Sequence, residues 1–199
     1  MDSLATARGV LRAESAAIAT AAERLDGAFE RALETLLSCR GRVVVCALGK
    51  SGHIGRKIAA TLASLGTPAF FVHAAEAMHG DAGMLAPGDV LVALSNSGTT
   101  AELCEVAALA RADGIPVVAI TGCRARSALA LLADVHLDAA VDREADAHDL
   151  APTTSTAVAL ALGDALAVAA AEGRAFAPAD FARRHPGGAL GARLVSGAP

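Results

Sequence analysis

Two segments of this 199-residue chain gather the residue types from which an anion site is built: Gly49-Lys50-Ser51-Gly52 and Ser95-Asn96-Ser97-Gly98-Thr99-Thr100. Each follows a short apolar run and leads into a helical pattern, so its glycines and hydroxyls fall where a helix begins. A helix start presents free backbone N–H groups and the positive end of the helix dipole. Ser and Thr hydroxyls add neutral donors, and glycine lets the backbone approach a bound group. The second segment, with Ser95, Ser97, Thr99 and Thr100, holds enough donors for one phosphate. Ordinary capping is the alternative, since Ser and Thr favour helix starts in any case; two such turns on neighbouring strands weigh against it. A P-loop would need glycine where Val44 stands, and G-K-S-G-H-I-G is not the G-x-G-x-x-G of dinucleotide sites. A small phosphorylated ligand is therefore favoured over a nucleotide.

Five protonatable residues accompany these turns: Lys50, His79, Glu102, Glu144 and His185. Carboxylates and imidazoles move protons between carbons at neutral pH once their pKa values are tuned. Each has a structural alternative. Glu102 would complement a helix N-terminus, Glu144 is one charge among Asp142, Asp146 and Asp149, Lys50 would be a plain phosphate counter-charge, and His185 precedes a Pro break. A metal is not expected. The six histidines contain no i, i+4 pair, and the four cysteines (Cys39, Cys46, Cys104, Cys123) have no ligand spacing. The cysteines read as buried or semi-buried thiols of a cytoplasmic protein. Lysine is scarce beside 15 arginines, which draws the eye to Lys50 inside a glycine-rich turn.

The elements that must position these residues follow from periodicity. Residues 3–39 read as two helices. Strands are predicted at 42–48, 68–73, 89–94, 116–121 and 135–141, with helices after the first, third and fourth, the last of these through Ser127–Leu132. Such alternation implies an α/β, three-layer sandwich around a five-stranded parallel sheet. If the strand order is the flavodoxin-like 2-1-3-4-5, strands 1 and 3 are neighbours whose helices leave on opposite faces. Ligands bind at the crevice there, and both turns line it. Thr153–Ala171 forms a helix apolar nearly all round, readable either as a subunit-interface helix or as a central helix of the monomer. The tail, 178–194, holds a short helix, a Pro-Gly-Gly break and another short helix.

Composition narrows the function classes. Hydrophobic residues are 54% and charged residues 19%, which excludes disorder as the main state. The N-terminus lacks the apolar region of a signal peptide, and Asp164 interrupts the one long apolar run, so neither export nor a membrane is expected. A net charge of −4 with 3% aromatics provides neither the basic patch nor the stacking platforms of a nucleic-acid binder. With no repeat or linker, residues 1–199 are expected to form a single domain.

GKSGHIGRKIAATLASLGTP (49–68), FFVHAAEAMHGDAGML (70–85), SNSGTTAEL (95–103), LAPTTST (150–156), GDALAVA (163–169) and HPGGALGARL (185–194) together resemble the sugar isomerase (SIS) domain family. Within it the chain is similar to the arabinose-5-phosphate isomerases. The resemblance implies aldose–ketose isomerisation of arabinose 5-phosphate and ribulose 5-phosphate through a cis-enediol, without a cofactor, for Kdo, lipopolysaccharide or capsule synthesis in the cytoplasm. It implies a homotetramer with active sites at subunit interfaces. By matched position it assigns catalysis to Lys50, His79, Glu102, Glu144 and His185, with Glu144 placed by its distance to LAPT. Substrate contacts fall on Gly49, Ser51, Gly52, Ser95, Asn96, Ser97, Gly98, Thr99 and Thr100. In two places the chain departs from the family's pattern. The family commonly continues past HPGGALG into paired CBS modules, whereas this sequence ends at Pro199, as either a compact form or an excised segment would. Thr99 also stands where Glu is common. The alternatives are an isomerase of another sugar phosphate, such as a hexulose phosphate, and a phosphosugar-sensing module without turnover.

Overall fold

The computed structural model describes residues 2–123 and 126–187. Five parallel strands form the centre: β1 (Val43–Ala47), β2 (Ala69–His73), β3 (Val90–Ser95), β4 (Val117–Thr121) and β5 (Val135–Asp138). They are ordered β2-β1-β3-β4-β5, as expected from the sequence. The apolar runs of β1, β3 and β4 are buried throughout because both faces of the sheet are covered. Val43, Val45 and Ala47 point to one face, and Val44 and Cys46 to the other.

Helices α1 (Ser3–Glu23), α2 (Gly27–Ser38), α3 (Gly49–Ser64) and α7 (Thr154–Gly173) cover the first face. The second face carries α4 (Ala74–Ala77), α5 (Ala101–Ala112) and α6 (Ala128–Leu132). Right-handed crossovers force this split. The chain leaves β1 in one direction to make β2, then returns to build β3, β4 and β5 in the other, so the connecting helices fall on opposite sides. The junction between β1 and β3 is where the order reverses.

Several boundaries differ from the periodicity reading. Helix α3 begins at Gly49, so GKSG forms its first turn and does not precede it. Glycines at 52 and 55 let this helix lie against Phe71, whose ring stands 3.5 and 3.0 Å from where their Cβ atoms would be. Strand β5 stops at Asp138, because its carboxylate accepts the Ala140 N–H (2.8 Å) and Arg24 donates to the Ala140 carbonyl (2.6 Å). These bonds draw the chain out of the ladder. Strand β3 runs one residue further than expected, to Ser95.

Of the two readings of the apolar helix, the central-helix one describes its inner face. In α7, Val158, Leu162, Leu166 and Ala167 join the core with Leu36, Ile58 and Leu62. The helix is long and apolar enough to cross a bilayer, but 50% of its most apolar window is buried inside the fold. Helix α8 (Pro178–Arg184) follows. The second short helix expected in the tail lies outside the described residues, as do Gly188–Pro199. Cysteine burial follows expectation at three positions, but Cys123 is exposed because it sits in the turn after β4. Burial pushes the Cys46 thiol up to about 12, which leaves it unreactive.

Candidate active site

At the β1/β3 junction a cavity of about 230 Å³ opens at the carboxyl ends of the strands. Leu48, Leu94, Ile120 and Ala139 from the strand ends, with Ile54 and Ala159 from α3 and α7, supply its apolar part. Lys50, Ser51, Ser95, Asn96, Ser155 and Thr156 supply its polar part, and Lys50 is the single charged residue among those lining it. One cation, several hydroxyls and no carboxylate make this wall complementary to an anion. The starts of α3 and α7 both open into it, adding oriented N–H dipoles.

The loop from Ser95 to Thr100 organises itself. The Ser95 hydroxyl lies 2.9 Å from the Thr100 hydroxyl and 3.4 Å from that of Ser97, and it accepts the Gly98 N–H at 3.1 Å. Ser97 accepts from the Thr99 N–H (3.2 Å) and the Thr99 hydroxyl (3.1 Å). Ser95 is buried, whereas Asn96, Ser97 and Thr99 are exposed. Hydroxyls already held in place lose little freedom when they bind a ligand.

The protonatable candidates are spread out. Lys50 lines the cavity. Glu102 is half-buried on the first turn of α5, directly after the hydroxyl loop. His79 is exposed beyond α4, on the same edge of the sheet but outside the cavity wall.

Glu144 is buried beneath the start of α7 and is not in a solvated loop. Its carboxylate accepts the Thr153 N–H (2.8 Å), the Ser155 N–H (3.1 Å), the Thr153 hydroxyl (3.2 Å) and the Ser155 hydroxyl. Burial alone would raise its pKa. The four donors, led by the Ser155 hydroxyl, outweigh burial and hold it below the usual carboxylate range. The surrounding acids are structural as well. Asp149 accepts the Glu144 N–H at 2.5 Å, and Asp146 accepts from the N–H groups of His148, Leu150 and Ala151.

His185 lies furthest away. Helix α7 starts at the cavity and runs 20 residues away from it, about 30 Å at 1.5 Å per residue. Beyond its end, Phe176 packs at Gly66, past the far end of α3, and the Arg184 guanidinium sits 5.9 Å from the Phe176 ring. His185 stacks on Phe181 with ring centres 3.9 Å apart, and its Nδ1 is 2.8 Å from the Phe181 carbonyl. It does not line the cavity of its own chain.

The sequence reading missed the wall built by Pro152, Ser155, Thr156 and Ala159, together with Ile54 and Gly122. P-T-T-S-T was recognisable as a helix start. Nothing in its spacing said that this start opens into the same crevice as the start of α3 and the end of β3.

Residues 36–169 match the family model of the SIS domain. The chain is 52% identical over 195 residues to the arabinose 5-phosphate isomerase KdsD of Pseudomonas aeruginosa, covering 98% of this chain and 60% of that protein. It is 46% identical over 194 residues to the arabinose 5-phosphate isomerase KpsF of Escherichia coli, covering 97% and 59% respectively. It thus spans about three fifths of the length of these curated relatives. Among solved structures, the E. coli CFT073 protein c3406 in complex with A5P superposes with a TM-score of 0.89 at 39% identity, over 94% of this chain and 100% of that one. The Vibrio vulnificus NanR protein complexed with ManNAc-6P shares the fold, with a TM-score of 0.72 at 24% identity.

Proposed function

The chain belongs to the SIS domain family, and from that premise we propose that it is an aldose–ketose isomerase interconverting D-arabinose 5-phosphate and D-ribulose 5-phosphate. The observation that carries this reading is the 39% identical relative, which superposes along its whole length and was solved with A5P. The anion-complementary cavity at the β1/β3 junction supplies a place for the phosphate in this chain. In this reading residues 1–199 act as one phosphosugar isomerase domain, in the cytoplasm, feeding Kdo, lipopolysaccharide or capsule synthesis.

In the proposed mechanism the hydroxyl loop and the helix starts hold the phosphate. A base removes the C2 proton of the open-chain aldose, and the resulting cis-enediol takes a proton at C1 to give the ketose. The Lys50 ammonium, inside the cavity, balances charge on the phosphate or on the developing enediolate oxygen. Glu102 and His79, on the same edge of the sheet, handle ring opening and hydroxyl protons. Glu144, held ionised by four donors, is a weak carbon base in this arrangement, and its principal work is to build the α7 side of the cavity. The carbon base falls to His185.

Because His185 sits near the far end of α7, it serves a neighbouring copy in a homotetramer whose sites lie between subunits. Exposed Leu4, Leu11 and Ile18, spaced by seven on α1, and half-exposed Val168 on α7 offer apolar surface for such packing.

Incubation with D-arabinose 5-phosphate in D2O, followed by NMR, tests the reading. The expected result is ribulose 5-phosphate carrying deuterium at the exchanging carbon. Exchange without conversion would move the substrate to another sugar phosphate, such as a hexulose phosphate. Binding with neither exchange nor conversion would make the domain a phosphosugar sensor.

A further inference from the structure

Two residues outside the hydroxyl loop clamp it, one from the turn after β4 and one from α6. The Gly122 N–H donates to the Asn96 carbonyl at 2.9 Å, and the Leu129 N–H donates to the Gly98 carbonyl at 2.9 Å. Gly98 adopts φ +63 and sits against Ser127, the residue that caps α6. The closest approach is at Gly122. A Cβ there would collide with the Asn96 side-chain oxygen and would stand 3.0 Å from the Asn96 carbonyl oxygen. Gly122 and Asn96 both line the cavity, and among the described residues the Asn96 amide group makes no hydrogen bond to the protein. Among the described residues its position is therefore set by packing, with Gly122 as the close neighbour.

We infer that Gly122 is a positioning residue for substrate: by having no side chain, it lets the turn after β4 close on Asn96 and keeps the Asn96 amide at the cavity. Any side chain at 122 would swing that amide away while leaving the sheet untouched, because the main collision is with the end of a side chain and not with the core. The obstruction would act on ligand affinity before it acted on folding. The kinetic part of this inference rests on the isomerase reading; the binding part does not.

The test is a cycle of Gly122→Ala, Asn96→Ala and the double variant. Each is assayed for KM and kcat with arabinose 5-phosphate, for inorganic phosphate affinity by calorimetry, and for thermal stability. Gly122→Ala should raise KM by about tenfold, the worth of roughly one hydrogen bond, with kcat nearly unchanged and the melting temperature close to wild type. In the Asn96→Ala background the same change should have less than about a twofold effect, because the group it displaces is gone. An equal effect in both backgrounds, or no effect in either, overturns the inference. Wild-type protein that fails to isomerise the sugar would defeat the proposed activity, yet the phosphate cycle would still decide the role of Gly122. Should Gly122→Ala not fold, NMR of the wild type decides: an Overhauser contact between the Gly122 Hα protons and the Asn96 side-chain amide supports the clamp, and its absence rejects it.

Discussion

Glu144 carries four hydrogen bonds on one carboxylate, and the count decides how it should respond to pH and substitution. Its pKa in the fold lies below the ordinary value of about 4.3 for an unfolded chain. The stability it contributes is thus complete above the unfolded value and is lost as pH falls through the lower, folded one. Glu144→Gln should therefore destabilise the protein at pH 7 by about 1–3 kcal/mol, the range for a buried hydrogen-bonded charge. The gap between the two proteins in denaturant melts should close as pH drops below about 4. A gap that stays constant with pH would mean that the charge contributes nothing. Its residue type and the family resemblance marked Glu144 as a candidate acid or base but could not show its use as the cap of α7. That role depends on a loop held by Asp146 and Asp149, whose hydrogen bonds no periodicity reveals.

At the scale of elements, the site depends on how α3 and α7 cross, since both helix starts open into the cavity. Two contacts near the crossing differ in kind. Gly163 of α7 meets the buried Ile58 of α3 so closely that an added Cβ would overlap the Ile58 side chain. Lys57 and Asp164 form a half-exposed pair at 2.6 Å beside it. Overpacking a core generally costs about 1–3 kcal/mol, whereas an exposed ion pair is worth about 0–1 kcal/mol. Gly163→Ala should lower the urea midpoint clearly, and Lys57→Ala should barely move it. The reverse order would mean that the ion pair holds the crossing. The helices and strands themselves were legible because their apolar periods are strong. The end of β5 was not, because Arg24, remote in sequence from that boundary, holds the Ala140 carbonyl just beyond it.

For the whole molecule, the arrangement that matters is the separation of Lys50 and His185 by the length of α7. If sites form between copies, chains carrying Lys50→Ala and chains carrying His185→Ala should each be inactive alone. Mixed by co-expression or by unfolding and refolding together, they should recover activity, because about a quarter of the sites in a random mixture draw an intact residue from each chain. Recovery close to zero, with hybrid oligomers demonstrated, would show that each chain completes its own site.

The sequence alone determined the α/β class, the placing of GKSG and SNSGTT at the ends of strands 1 and 3, and the family resemblance; with the common 2-1-3-4-5 order it brought the two turns to one crevice, and the structure has that order. These rest on local periods, on glycine and hydroxyl residues at helix starts, and on the fixed handedness of crossovers, all of which act over short stretches of chain. Only the tertiary structure decided that the start of α7 is a third wall of the cavity, that Glu144 is buried under four donors, that Gly122 presses on Asn96, and that His185 lies away from its own cavity. Those facts join residues on different elements, from 9 positions apart for Glu144 and Thr153 upward. The packing of helices across a sheet fixes such distances, and no spacing along the chain encodes them.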